Sequence, residues 1–213
     1  MMFLQLLQSG LIVLGLFTAS ISTAYYICEI KKLPFINPQY YSDLTIRNKY
    51  HSQITQIMPP VFIGTTLLFN HANQYFTHVK LTTFQTGIYI LLYCVGIEFA
   101  YYLYHRIIHH KYLYKSIHAK HHENVVIYPL DSIYVGPLDI FLYTTCLHIP
   151  IYLLRVDLFI YCLCVYTYVV FGFISHSNIL YNHHIIHHKL FRYNYCLVIP
   201  IFDLLIGTYR EHL

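Results

Sequence analysis

Five long runs of apolar residues dominate the chain, and short polar segments separate them. The runs cover residues 1–28, 54–75, 83–104, 140–154 and 158–175. A helix of about 20 apolar residues crosses a hydrocarbon core about 30 Å thick. The pattern therefore predicts an all-α integral membrane protein with about four to five membrane helices. The first run has no charged residue and no Lys or Arg before it, which favours a retained helix over a cleaved signal peptide.

The last two runs are predicted to form a helical hairpin. Only Arg155, Val156 and Asp157 separate them, so the outer ends of both helices should lie on one side of the membrane. Cytoplasmic loops of membrane proteins are enriched in Lys and Arg. If the segment after the third run is cytoplasmic, eleven of the 13 Lys and Arg residues lie on that side. We therefore expect that segment to face the cytoplasm.

Composition excludes several classes of protein. Hydrophobic residues make up 57% of the chain and charged residues only 10%. Soluble domains carry about 25% charged residues, so this composition argues against a soluble enzyme. The net charge is only +4 and no basic run is present, which argues against a nucleic-acid partner. The sequence has no GxGxxG or P-loop motif. We therefore expect no intrinsic NAD, flavin or nucleotide site.

The histidines are strongly clustered. Eleven of the 16 lie within residues 105–122 and 176–188, next to the ends of predicted spans. Several are three or four positions apart, so on a helix each cluster should aim two or three imidazoles at one point. Imidazole is a ligand for zinc, copper, iron and nickel. The pattern predicts a polynuclear metal site at the membrane face, and the alternative is a histidine-rich solvated or proton-buffering surface.

Three histidine boxes carry a family resemblance. They are His105–His109 (HxxxH), His118–His122 (HxxHH) and His184–His188 (HxxHH), in that order, with the hairpin between the second and third. With their flanks they resemble the membrane-bound fatty acid hydroxylase and sterol desaturase superfamily. The flanking matches are Glu98, Tyr104-His105-Arg106, Pro129, Pro137-Leu138-Asp139, Ser175-His176-Ser177-Asn178, Asn194-Tyr195, Asp203 and Gly207-Thr208-Tyr209-Arg210.

The resemblance implies a division of the chain. Residues 1–82 would form N-terminal membrane helices and a loop. Residues 83–213 would form a hydroxylase- or desaturase-like catalytic domain, with the histidine boxes in a helical cap on the cytoplasmic side.

The resemblance also implies the metal and its ligands. The cofactor would be two iron ions, which zinc can replace in recombinant protein because nitrogen ligands discriminate poorly between these metals. The expected ligands are His105, His109, His118, His121, His122, His176, His184, His187 and His188. The neighbouring His110 and His183 are either further ligands or residues that support these nine.

One acidic residue is a candidate for a catalytic role. Glu98 lies in an otherwise apolar span, where an acid is costly and usually functional. About two helical turns separate it from His105, which is too far for a direct bond along a straight helix. We therefore expect Glu98 to orient a histidine of another box, His176 or His184. Asp139 and Asp203 are alternative acids for such a role.

The activity implied is oxidation of a lipid with dioxygen. The substrate would be a sterol or a fatty acyl chain, and the outcome hydroxylation or desaturation. Electrons would come from a cytochrome-b-type carrier and its reductase, and the location would be the endoplasmic reticulum membrane in a eukaryote. Two alternatives remain open: a metal- or haem-binding membrane protein such as a transporter or electron carrier, and a catalytically degenerate family member.

Overall fold

A computed structural model describes residues 2–179 and 182–212. All regular structure in these residues is helical, as predicted. The helices are α1 (Met2–Lys31), α2 (Leu44–Ser52), α3 (Met58–Ala72), α4 (Thr83–Ile108), α5 (Tyr114–Ile117), α6 (Pro137–Leu154), α7 (Leu158–Ile174), α8 (His183–Leu190) and α9 (Ile201–Ile206). Short 3-10 turns lie at Pro38–Tyr41, Asn73–Tyr75, His121–Glu123 and Pro129–Ile133.

The predicted membrane spans correspond to five of these helices. Three helices of the described chain are long and apolar enough to cross a membrane, namely Phe3–Lys31 within α1, α4 and α6. The helix α7 is equally apolar in character but has only 17 residues. The helix α3 has 15 residues, or about 22 Å at 1.5 Å per residue, which is less than the thickness of a hydrocarbon core.

Two prolines mark the beginning of α3. Pro59 and Pro60 occupy the first turn of α3, where a residue without an N–H group is tolerated. A regular α-helix cannot run unbroken from α2 through these prolines. The chain instead passes through a π-helical turn, Gln53–Ile57, before α3 begins.

The predicted hairpin between α6 and α7 is confirmed. Arg155 ends α6 in the left-handed conformation with a φ of 48°. Asp157 then begins α7, because its carboxylate accepts a hydrogen bond of 2.8 Å from the backbone N–H of Ile160. The beginning of α6 and the end of α7 therefore lie at the same end of the molecule.

Five helices pack as a closed ring. In sequence around the ring, α1 contacts α3, α3 contacts α6, α6 contacts α4, α4 contacts α7, and α7 contacts α1. Gly96 permits the α4–α6 approach, since a Cβ atom at this position would lie 3.0 Å from Cγ of Pro150. The ring encloses a cavity of about 380 Å³ with mainly apolar walls. Residues 193–197, called the C-terminal segment below, and α8 lie at the end of this ring where the histidines also lie.

Candidate metal centre

The structure brings together all nine histidines that were predicted as ligands. They form two adjacent groups, and within each group one ring nitrogen per residue lies within 4.8 Å of those of the other members. The first group contains His105, His109, His118, His122 and His187, and the second contains His121, His176, His184 and His188. The groups touch, because the ring centroids of His122 and His188 are 4.4 Å apart. Their binding of metal remains a prediction.

The third histidine box divides between the two groups. His184 and His188 belong to the second group, whereas His187 belongs to the first. Residues four apart differ by only about 40° around an α-helix, but consecutive residues differ by about 100°. The i, i+4 pair therefore shares one direction, and His187 points to the neighbouring group. This box therefore aims two imidazoles at one point, the smaller of the two numbers expected.

The second histidine box divides in the same manner without being a regular helix. The helix α5 ends at Ile117, and a turn and a 3-10 turn, His121–Glu123, follow it. His118 and His122 belong to the first group and His121 to the second. Each of the last two boxes therefore supplies ligands to both groups.

Hydrogen bonds to one ring nitrogen indicate which other nitrogen is available to bind a metal ion. Nδ1 of His105 is 2.8 Å from the carbonyl oxygen of Tyr195, and Nδ1 of His118 is 2.7 Å from a carboxylate oxygen of Asp139. An oxygen acceptor requires a proton on Nδ1, and in a neutral imidazole this leaves the lone pair on Nε2. These two Nε2 atoms are only 3.1 Å apart. Two lone pairs at this distance repel each other unless a cation shares them, so this pair fits a metal ion.

The second group fits a metal ion on separate grounds. Nδ1 of His176 donates to the carbonyl oxygen of Gly172 at 2.9 Å, and its Nε2 lies 3.2 Å from Nε2 of His121. Within the described chain, both ring nitrogens of His184 and both of His188 are buried without a hydrogen-bond partner. Buried polar atoms normally have a partner, and metal coordination would supply one.

Burial favours the neutral, metal-binding form of several of these imidazoles. Burial lowers the pKa of His176 to about 4 and that of His187 to about 3. Burial, with the neighbouring histidines as a further cause, lowers the pKa of His121, His184 and His188 well below the usual value. A solvated, proton-buffering patch requires histidines that titrate near neutral pH, and these do not.

A C-terminal segment supplies backbone acceptors that the sequence did not reveal. The carbonyl oxygens of Tyr193, Tyr195 and Leu197 accept from ring nitrogens of His187, His105 and His183 at 2.7, 2.8 and 3.1 Å. The segment 193–197 therefore orients imidazoles of two boxes at once. His183 supports the centre in this way, whereas His110 is exposed and belongs to neither group.

Asp203 and Asn194 hold this segment in place. The carboxylate of Asp203 accepts from the backbone N–H groups of Tyr195 and Cys196 at 2.8 and 2.7 Å. Asn194 adopts a positive φ of 60°, and its side chain bonds the backbone of His183 and Arg210. Asp203 thus acts on the histidines through the backbone.

Glu98 has a different role from the one expected. Its carboxylate accepts hydrogen bonds from three consecutive backbone N–H groups, those of Leu197, Val198 and Ile199, at 3.1, 2.9 and 2.9 Å. The prediction that it contacts His176 or His184 is wrong, because backbone N–H groups of residues 197–199 bond both of its carboxylate oxygens. Glu98 thus holds residues 197–199, which directly follow the two residues that Asp203 holds.

Asp139 is the acid that contacts a predicted ligand directly. One oxygen accepts from Nδ1 of His118, and the other accepts from the hydroxyl of Tyr104. A carboxylate that bonds a ligand histidine fixes the ring and makes it a better ligand. This geometry matches one of the two alternatives considered from the sequence.

Asp139→Asn is expected to lower metal affinity about 10- to 100-fold while the protein stays folded. The amide is nearly the same size, but it removes the negative charge that favours a metal-bound His118. Competition with a chelator of known affinity measures the change. Asp157→Asn, at the hairpin turn, is the matched control and should keep full affinity, and equal affinity in both variants would contradict this role for Asp139.

The histidine groups lie at one end of the cavity inside the helix ring. His118, His121 and His176 form part of the cavity wall. Most other wall residues are apolar side chains of α1, α3, α6 and α7. A hydrocarbon chain in this cavity would thus lie directly against members of both groups.

Comparison with known proteins gives a consistent assignment. The chain is 28% identical to Protein CER1-like 1 of Arabidopsis thaliana, over 55% of this chain and 22% of that protein. It is 28% identical to the very-long-chain aldehyde decarbonylase GL1-6 of Oryza sativa subsp. indica, over the same shares. It is also 28% identical to the Delta(7)-sterol 5(6)-desaturase of Eremothecium gossypii, over 57% of this chain and 37% of that protein.

The matched region is only a part of each of these relatives. The chain covers between about a fifth and two fifths of their length. No solved structure matches the chain significantly. The sequence model for fatty acid hydroxylases matches residues 90–208, which is more than half of the chain and includes all nine histidines. This protein is therefore a member of the fatty acid hydroxylase family, within the fatty acid hydroxylase and sterol desaturase superfamily.

Proposed function

We propose that this protein is a membrane-bound, iron-dependent oxidoreductase that hydroxylates or desaturates a lipid with dioxygen and external electrons. The substrate is a sterol or a fatty acyl chain or a related long-chain lipid. The family and its relatives support a lipid-modifying enzyme. The observation that carries the proposal is the position of two histidine groups at the end of an apolar cavity that five helices enclose.

The nine histidines would hold the two iron ions, one in each group. Bound iron supplies, with dioxygen and electrons, the oxidising power to remove hydrogen from an unactivated carbon, which side chains lack. The chain itself provides the neutral ligands, orients them through Asp139 and the carbonyl groups of residues 193–197, and excludes water from the apolar cavity. A hydrocarbon lies with its reacting carbon beside His118, His121 and His176.

A haem protein fits these histidines less well. A haem iron takes its protein ligands from the two faces of a wide planar ring. Each group brings four or five ring nitrogens within 4.8 Å of one another, which is more than the two protein ligands that a haem iron can take. This number of ligands supports small metal ions.

The electron donor and the orientation are part of the same proposal. The chain brings no nucleotide motif, so a cytochrome-b-type carrier with its reductase supplies the electrons at the cytoplasmic face. The concentration of Lys and Arg on the side of the histidine boxes supports that orientation. The endoplasmic reticulum is the proposed membrane in a eukaryotic cell.

Lipid profiling of expressing cells tests the proposal. Cells with the wild-type protein are expected to accumulate an oxidised or desaturated lipid that is absent from cells with the double variant His118→Ala, His121→Ala. The variant removes one ligand from each group. Mass spectrometry of total lipids measures the difference.

Two exposed histidines provide the matched control. The double variant His78→Ala, His212→Ala removes the same number of imidazoles outside the groups and should give the wild-type profile. An identical lipid profile for the wild type and the His118→Ala, His121→Ala protein, with both proteins present in the membrane, would refute the proposed activity.

A further inference from the structure

One tyrosine on the cavity wall has an unused hydrogen-bond donor. Tyr101 lies on α4, is only 6% exposed and forms part of the cavity wall. Within the described chain its hydroxyl makes no hydrogen bond, and it is not among the polar atoms that are fully enclosed without a partner. The hydroxyl therefore retains some accessible surface, and the cavity is the space next to this side chain.

Other tyrosines near the cavity show that this is exceptional. The hydroxyl of Tyr104 donates to Asp139, and that of Tyr143 donates to the carbonyl oxygen of Tyr168. The hydroxyl of Tyr161 is hydrogen-bonded to Nε2 of His148. A phenol hydroxyl without a partner in an apolar cavity is costly, because it has lost its water and gained nothing in exchange. A phenylalanine would fill the same space without that cost. The hydroxyl at position 101 thus needs a partner that is not part of the chain.

The position of Tyr101 places that partner next to the histidines. Tyr101 is one helical turn before His105, about 6 Å along the helix axis, on the membrane side. Its ring centroid is 5.0 Å from that of His105, a member of the first group. A ligand group that meets the hydroxyl is therefore near the histidine end of the cavity.

We propose that Tyr101 donates a hydrogen bond to an oxygen atom of the bound lipid. The ligand class is a long hydrocarbon with an oxygen acceptor close to the reacting carbon, and its tail extends between α1, α3, α6 and α7. The cavity then discriminates an oxygen-bearing lipid from a plain hydrocarbon of the same length. This inference rests on the proposed function, since it takes the cavity as the lipid site.

A pair of probes that differ in one atom tests the inference. The compounds 1-methoxyhexadecane and octadecane have the same number of heavy atoms, and an ether oxygen in the first replaces a CH₂ group in the second. Each competes with a fluorescent alkyl reporter for the full-length protein in nanodiscs. The ratio of the two affinities in the wild type is compared with the ratio in Tyr101→Phe, so that different partition into the bilayer cancels.

The wild type is expected to favour the ether by about fivefold more than Tyr101→Phe does, the usual effect of one hydrogen bond. Tyr101→Phe should melt at the same temperature as the wild type or higher, since it loses no hydrogen bond. Tyr93→Phe is the matched control on α4, where the hydroxyl donates to the carbonyl oxygen of Leu147 at 3.0 Å. It should melt at a lower temperature and keep the preference for the ether.

Ser132 provides a second comparison. It is half-buried, lines the cavity and makes no hydrogen bond through its side chain within the described residues. An unchanged preference in Tyr101→Phe, or its loss in Ser132→Ala alone, would overturn the assignment to Tyr101. In either case the lipid cavity would stand. Failure of both probes to displace the reporter would refute the cavity as a lipid site and with it the substrate site of the proposed function.

Discussion

Alanine substitutions in one histidine group are expected to remove one metal ion and leave the other. The triple variant His109→Ala, His118→Ala, His122→Ala leaves two imidazoles in the first group, and His184→Ala, His188→Ala leaves two in the second. Two imidazoles provide too few ligands for tight binding, whereas the intact group keeps four or five. Elemental analysis of purified protein should find two ions per chain in the wild type and one in each variant.

The same variants should differ from the wild type in stability. A metal at 1,000 times its Kd stabilises the folded state by about 4 kcal/mol, so losing one ion should lower the melting temperature by several degrees. The variant His78→Ala, His212→Ala is the control and should keep both ions. If each group variant lost both ions together, the two groups would form one shared site. If the well-folded wild type bound none, the metal centre itself would be refuted.

Glu98→Gln is expected to destabilise the protein by about 3 kcal/mol and to weaken metal binding. The carboxylate accepts from three backbone N–H groups, and hydrogen bonds to a charged acceptor contribute about 1.5–3 kcal/mol each. Glutamine offers only one acceptor oxygen, and its NH₂ group would face N–H donors. The segment 193–197 would loosen, and it orients the imidazoles of His187 and His105.

Thermal unfolding in detergent, with and without added metal, measures both effects of Glu98→Gln. Glu211→Gln is the matched control, since its side chain is 71% exposed, and it should leave both quantities unchanged. A melting temperature and metal affinity equal to those of the wild type would show that the three backbone contacts contribute little. Low stability with normal metal affinity would show that Glu98 supports the fold without reaching the histidines.

The sequence by itself determined most of the helices and the membership of the histidine clusters. Apolar runs predicted α1, α4, α6 and α7 close to their observed bounds, because the length and polarity of a run are local properties. The three residues 155–157 predicted the hairpin for the same reason. The histidine boxes and the family resemblance that they carry named the nine residues that the structure brings together, because the order and spacing of these residues are properties of the sequence.

Only the tertiary structure decided how those histidines are divided and what orients them. The two groups combine residues up to about 80 positions apart, and the backbone carbonyls of residues 193–197 meet rings that belong to α4 and α8. The interpretation of Glu98 was wrong because its partners are backbone N–H groups about 100 residues away, which no side-chain pattern reveals. Whether the hydroxyl of Tyr101 has a partner likewise depends on five helices closing around one cavity. The sequence motifs thus named the candidate ligands, and long-range packing decided which atoms each of them faces.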